Sequence, residues 1–387
     1  MNDQNYTKCD GAELSREYHA FIKVYSLIVE RYGNLITGTC GMLLNFITII
    51  VLSTPKMRNN VFNRLLMCLA IFDNVYLFCE ITEVFRVWNY SDFQQYFFAK
   101  CIYPIRSLFM CSSIYTNIAL ASERYRAVTS PVEYRIRRNT KVARKLMKYI
   151  MPVLAISVLY NIPKFYEIEL DVTYQCYKNN SSNNLLDTIG EPNKHNNCTM
   201  KYTLAPTELR MNHTYLLWYT NISNLFITAL LPIGVLLYLN LTVYLSSGKV
   251  LTRRSSISSF QLQQSVDLKR TSILFSIFFV FLFCQSLRFI LNVCEFLRFS
   301  QLKEEQEIKC EAPEFWERIV VPLNQLFLIL NASAHFFIYV FFDREYQDVL
   351  KGLFTKDNYQ KERNKQKDSF RMRSLKDKEI QNKDRVV

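Results

Sequence analysis

The sequence predicts an all-α membrane protein: a bundle of seven transmembrane helices with a short amphipathic eighth helix. Three observations carry this expectation. Half of the 387 residues are hydrophobic, yet mean hydropathy is near zero, so apolar blocks must alternate with very polar ones. Those apolar blocks number seven. Basic residues and N-glycosylation sequons then fall on opposite sides of a seven-span arrangement. A disordered chain does not carry this much apolar surface. One soluble domain would space its apolar residues at helical or strand periods, not in runs of about twenty.

The first block is 33–52, which holds no charged residue. At about 1.5 Å per residue, some 20 residues cover a hydrocarbon core roughly 30 Å thick. Further blocks follow at 65–83, 102–121, 149–163, 215–247, 271–297 and 319–342. The fourth is short and bounded by Lys148 and Lys164, whose ammonium groups would have to snorkel. Residues 1–32 lack a cleavable-leader pattern, so they read as an extracellular tail ahead of a signal-anchor helix.

Charge sets the orientation. Residues 123–148, between blocks three and four, hold nine Lys/Arg against Glu123 and Glu133. Lys56, Arg58, Lys249, Arg253, Arg254, Lys269 and Arg270 fall on the same side, as does the tail 356–387 with eleven Lys/Arg and six acids. That side is expected to be cytoplasmic. The net charge of +13 is then a positive-inside bias flanking membrane spans, not a nucleic-acid surface. Sequons at Asn5, Asn89, Asn179, Asn180, Asn197 and Asn212 lie on the opposite side, and those at Asn221, Asn240 and Asn331 lie within spans. The expected location is the plasma membrane, multi-pass, with the N-terminus outside and the C-terminus inside.

Six of the eleven cysteines (Cys40, Cys68, Cys79, Cys111, Cys284 and Cys294) fall in apolar helices, where buried thiols are ordinary. Cys9, Cys101, Cys176, Cys198 and Cys310 fall on the oxidising side, where disulfides persist, and five is an odd number. No cysteine or histidine spacing suits a metal, so no metal or cofactor is expected.

Ionisable groups inside a span are costly and tend to be functional. Asp73 and, two turns above it, Glu80 lie in block two. Arg106 is near the outer end of block three, with Glu123 and Arg124 at its inner end; Arg288 and His335 lie in blocks six and seven. An outer polar cavity and an inner polar switch would use them; the alternative is that each is a satisfied group of the bundle interior.

At this point the chain resembles a family. Glu123-Arg124-Tyr125, followed by Pro131, is similar to the Asp/Glu-Arg-Tyr motif of rhodopsin-like G-protein-coupled receptors. Asn45, Leu69-Ala70-Ile71-Phe72-Asp73, Pro232, Phe281-x-x-Cys284 and the segment 331–339 ending in Tyr339 resemble the family's motifs in helices one, two, five, six and seven. The stretches 160–167, 207–215 and 284–292 resemble invertebrate FMRFamide-type neuropeptide receptors.

The resemblance implies a receptor domain over 33–342, an amphipathic helix 8 over 343–355 and a charged cytoplasmic tail over 356–387. It implies a G-protein switch made of Glu123, Arg124, Tyr125, Asp267 and Tyr339, in which Arg124 pairs with Glu123 and with Asp267 of helix six. It implies a polar network of Asn45, Asp73, Asn331 and His335. It also implies a disulfide from Cys101 to Cys176 or Cys198. Three departures stand out. Gln285 replaces the family's Trp, Leu287 replaces its helix-six Pro, and His335-Phe336 replaces Asn-Pro. Loss of that proline removes the usual cause of a helix-six kink, and a protonated His335 would repel a cation.

Arg106 stands eighteen residues before Arg124, where amine receptors carry Asp. A cation there disfavours an amine ligand. Arg106, Arg288, Glu80, Gln285 and Glu295 are the candidate ligand residues, although Glu80, Glu83 or Glu295 neutralising the arginines is an equally physical reading. The expected partners are an extracellular FMRFamide-like peptide, a heterotrimeric G protein and membrane lipid, with no nucleic acid. The alternatives are a seven-helix receptor for a non-peptide ligand, a receptor that signals poorly, and, with less support, a channel or transporter. No phosphate loop, zinc pattern or nucleophile motif points to an enzyme.

Overall fold

A computed structural model describes residues 16–88, 91–130, 134, 142–177, 197–253, 258–301 and 315–354. Asn5, Asn89, Asn179 and Asn180 lie outside them, as do Cys9, Cys310 and the tail from 355. In chain order the elements are α1 (16–52), α2 (Val61–Trp88), α3 (92–129), α4 (Val142–Asn161), a hairpin of β1 (Ile168–Tyr177) and β2 (Asn197–Pro206), α5 (213–253), α6 (Ser258–Gln301), α7 (Phe315–Phe342) and α8 (Arg344–Phe354).

Six of the long helices are apolar enough to cross a membrane by composition. The exception is α3, and its position explains why. It packs against α2, α4, α5 and α6, and α7 closes the ring by packing on α6, α1 and α2. Its Ser112, Ser113, Thr116, Asn117, Glu123 and Arg124 are all buried against these neighbours. A helix surrounded by protein can carry polar residues that lipid would reject. The lipid-facing rows are the reverse: Phe279, Phe283 and Phe341 point outward, as apolar side chains in a hydrocarbon solvent should. The chain is a multi-pass membrane protein.

Helix α1 begins at Arg16 and not at residue 33, so 16–32, expected in the tail, are helical. Its outer half contains Lys23, Glu30 and Arg31, and a wider π turn spans Leu27–Gly33. Tyr25 donates to the Ile319 carbonyl of α7 at 2.8 Å, fixing this extension to the bundle.

Helix α5 contains two π turns, Leu216–Ser223 and Phe226–Leu230, the second just ahead of Pro232. Proline lacks an N–H and its ring crowds the carbonyl one turn back; a wider turn relieves both. The freed Ile227 carbonyl accepts from Tyr115 Oη of α3 at 3.0 Å. By contrast α6 is one helix of 44 residues, and neither proline, glycine nor a π turn occurs in it.

Helices α1 and α7 come close at Gly41. A Cβ there would collide with Ser333 Oγ and would meet Ser333 Cβ at 2.6 Å. Small residues permitting backbone approach are the usual means of packing helices in lipid. After α7, Asp343 Oδ1 accepts from the amides of Glu345 (3.0 Å) and Tyr346 (3.2 Å), capping α8. Tyr346 is fully buried, and its Oη lies 3.1 Å from Thr48 Oγ1 of α1. The other anchors of α8 (Val349, Leu350 and Leu353) pack on the core as their i, i+3, i+4, i+7 spacing requires.

Candidate functional site

The ionisable residues occupy three levels of the bundle. At the inner level the last turns of α3 bury Glu123 and Arg124 to 1% and 2% side-chain exposure, with Arg124 Nη2 2.9 Å from Glu123 Oε2. Tyr134 donates to Glu123 Oε1 at 2.6 Å. The guanidinium lies 4.2 Å from the centroid of the Phe62 ring of α2, a cation–π contact. Tyr125 is partly buried against the core. Asp267 lies on α6, but its side chain is outside the described residues, so the expected Arg124–Asp267 pair is not visible.

At the middle level Asp73 is buried. Its Oδ1 accepts from Ser113 Oγ of α3 at 2.6 Å, and its Oδ2 lies 3.0 Å from His335 Nδ1 of α7. Asn45 Nδ2 donates to the Ala332 carbonyl at 2.9 Å, joining α1 to the same layer. A small cavity beside them is lined by Asp73, Ser113, Gln285 and Asn331, among others. Below it Tyr339 is buried between His335 and Tyr346, with ring centroids at 6.5 Å and 5.7 Å. Asn45, Asp73, Asn331 and His335 are thus brought into one layer, with Ser113 as a member the sequence reading missed.

At the outer level Glu80 of α2 is buried. Gln325 Nε2 of α7 donates to its Oε2 at 2.7 Å, and Arg106 Nη1 of α3 lies 3.7 Å from the same oxygen. Glu83 takes Arg86 through two bonds of 2.7 and 3.0 Å. Arg288 of α6 points between α3 and α5, where Nη2 donates to Asn224 Oδ1 and Nη1 approaches the Met110 sulfur, each at 3.1 Å. Of the five candidate ligand residues, Glu80 and Arg106 therefore meet. Gln285 lies deeper, in the Asp73 layer, and Glu295 is exposed about two turns beyond Arg288 on α6.

A fourth cluster was not anticipated. Glu167, at the root of the hairpin, is buried and accepts from Tyr103 of α3, Tyr215 of α5 (2.7 Å), Lys164 after α4 (2.9 Å) and Arg210 (3.2 Å). Its carbonyl accepts from the Thr207 amide at 3.1 Å, joining the two ends of the hairpin segment. Burial acts to raise the Glu167 carboxyl, but the Lys164 ammonium and the bonds from Tyr103, Lys164 and Tyr215 outweigh it and hold the group below the usual carboxylate range. The available signal was that Lys164, Glu167, Arg210 and Tyr215 all fall in two of the stretches that resemble FMRFamide-type receptors.

Cys101 is a free thiol, as are the helix cysteines Cys40, Cys68, Cys79, Cys111, Cys284 and Cys294. The side chains of Cys176 and Cys198, the expected partners of Cys101, lie outside the described residues. Of the sequons, Asn212 is exposed before α5, while Asn221 and Asn240 are buried in that helix and Asn331 is buried in α7.

Seven packed helices, a buried Glu-Arg pair closing α3 and a polar layer at mid-bundle define a seven-helix receptor. The family described as 7 transmembrane receptor (rhodopsin family) matches residues 44–326, and the chain belongs to it. The chain is 24% identical over 331 residues to an FMRFamide receptor of Drosophila melanogaster, covering 83% of this chain and 53% of that one. It is 26% identical over 320 residues to the FMRFamide peptide receptor frpr-18 of Caenorhabditis elegans, covering 80% and 65% respectively. The chain therefore matches between about half and two thirds of the length of these relatives.

Proposed function

We propose that this receptor binds an extracellular FMRFamide-like peptide and passes the signal to a heterotrimeric G protein. It sits in the plasma membrane with its N-terminus outside. The observation that carries this reading is the charge arrangement on α3 and α6. Arg106 of α3 lies 3.7 Å from the buried acid Glu80, Arg288 of α6 bonds Asn224 at the outer level, and Glu123–Arg124 close the inner end of α3. The two outer cations would repel an amine ligand and suit acceptor groups of a peptide, its carbonyls or an acidic side chain. Agonist would favour a state in which α6 moves away from α3, opening a crevice beside Arg124 for a G-protein helix. The names of both relatives support the peptide class.

The test is to express the full chain with a promiscuous G protein and challenge it with neuropeptides, amines and lipids. A response to amidated Arg-Phe peptides is expected; a response to amines or lipids alone would remove the reading. Arg288→Gln should lower peptide potency by roughly tenfold, the equivalent of about 1.4 kcal/mol and typical of one charge-assisted hydrogen bond. Unchanged potency would remove Arg288 from the site.

A further inference from the structure

The hairpin between α4 and α5 is antiparallel over its whole length, and its register sets Cys176 directly opposite Cys198. We propose that these two cysteines form a cross-strand disulfide, and that the receptor carries this bond in place of one to Cys101. Directly opposed Cα atoms in an antiparallel pair are about 4.5 or 5.5 Å apart, according to the hydrogen-bonding of the pair. Both spacings fall inside the range of roughly 4.4–6.8 Å that a disulfide spans. Opposed residues also share one face of the sheet, so the pairing requires no change of register.

Cys101 is placed differently. It sits in a π turn at the start of α3 and is a free thiol. Next to it, Ile168 and Leu204 of the hairpin pack on Ile102, Tyr103 and Phe98. A strand rises about 3.3 Å per residue, so Cys198 lies roughly 20 Å along β2 from Leu204, and Cys176 roughly 26 Å along β1 from Ile168. The Tyr202 amide donates to Asp92 Oδ1 of α3 at 3.4 Å, and both cysteines lie beyond that contact, towards the tip of the ribbon.

The bond also answers a physical need. A two-stranded hairpin alone is marginal in water. Glu167 and Thr207 hold its root. A covalent tie between Cys176 and Cys198 closes the segment 177–197, which carries the sequons at Asn179, Asn180 and Asn197.

The inference rests on the proposed orientation, which places the hairpin in the oxidising lumen during synthesis. There each thiol loses a proton and an electron as the S–S bond forms. The two electrons and two protons pass by thiol–disulfide exchange to the disulfide of a lumenal oxidoreductase, which is left as a dithiol.

Two measurements on the full-length receptor from cell membranes test it. In the first, free thiols are alkylated under denaturing conditions and the chain is digested without reductant for mass spectrometry. The expected result is a linked pair of peptides carrying Cys176 and Cys198, with the alkyl group on Cys101. Linkage of Cys101 to either cysteine, or alkylation of both hairpin cysteines, overturns the proposal. Glycan at Asn212 in the second case shows that the pairing alone has failed; the absence of glycan from every sequon shows that the orientation has failed.

In the second, a protease site is inserted within 182–190. After cleavage the two fragments should stay together on a non-reducing denaturing gel and separate with reductant. Cys101→Ser should leave them together, and Cys198→Ser should release them. Release in Cys101→Ser would instead assign the bond to Cys101.

Discussion

Glu167 shows what a single buried carboxylate does in this fold. Four donors from the ends of α3, α4, α5 and the hairpin converge on it. Glu167→Ala should strand Lys164 without its carboxylate and lower stability by roughly 2 kcal/mol, below the usual 3–5 for a buried pair because Arg210 is partly exposed. Thermal unfolding in detergent would read this. Because the folded-state carboxyl is held below its ordinary value, its contribution is present above the unfolded-state pKa. It fades as pH falls through the folded one. Wild type and Glu167→Gln should therefore differ at neutral pH and converge in acid; a constant gap across that window would contradict the assignment. The sequence hid this residue because a lone Glu in a polar loop is ordinarily solvated. Asp73 was legible, since an acid in an apolar run is costly, and the family resemblance placed His335 in the same network. Removing it, as in His335→Ala, leaves Asp73 with Ser113 and should cost about 3 kcal/mol in the same assay. An unchanged unfolding temperature would show that the 3.0 Å contact contributes nothing.

At the scale of elements, the helices were legible wherever lipid is the solvent. Seven apolar runs marked seven spans, and the i, i+3, i+4 spacing of Tyr346, Val349, Leu350 and Leu353 marked α8. What the runs did not mark were elements stabilised by protein contacts instead. The outer half of α1 carries charge yet stays helical, with Tyr25 bonded to α7. The π turns of α5 and the β1–β2 pairing have no periodic signature. The continuity of α6 was legible, because breaks and kinks have identifiable causes and Leu287 removes one. Close helix approach can be tested at Gly41. Gly41→Ala should cost roughly 1–3 kcal/mol, as overpacking does, because its methyl would collide with the Ser333 side chain. Adding Ser333→Gly should recover part of the loss. No recovery in the double variant would mean that the strain lies elsewhere.

Over the whole molecule, the polar groups form three levels joined through α3, which touches four other helices. Arg106, Ser113 and Arg124 mark the outer, middle and inner levels of that one helix. The levels were legible as a list of costly residues; their partners were not, because Gln325, Ser113 and Tyr134 are unremarkable in sequence. If the inner level is the switch, Arg124→Gln should abolish G-protein activation while labelled peptide still binds. Asp267→Asn should raise ligand-free signalling several-fold by weakening the proposed tie between α3 and α6. Loss of peptide binding in the first, or unaltered basal signalling in the second, would separate these residues from that role.

The unbroken α6 has a mechanical corollary. Gln285 divides it into unequal arms, about 40 Å to Ser258 and about 24 Å to Gln301 at 1.5 Å per residue. A rod without a joint tilts as one piece, so a push delivered near Arg288 and the hairpin is not dissipated at a bend. About a pivot at Gln285 the Ser258 tip would sweep about 1.7 times as far as the Gln301 end. Small displacements near Arg288 then become larger ones where Asp267 rides.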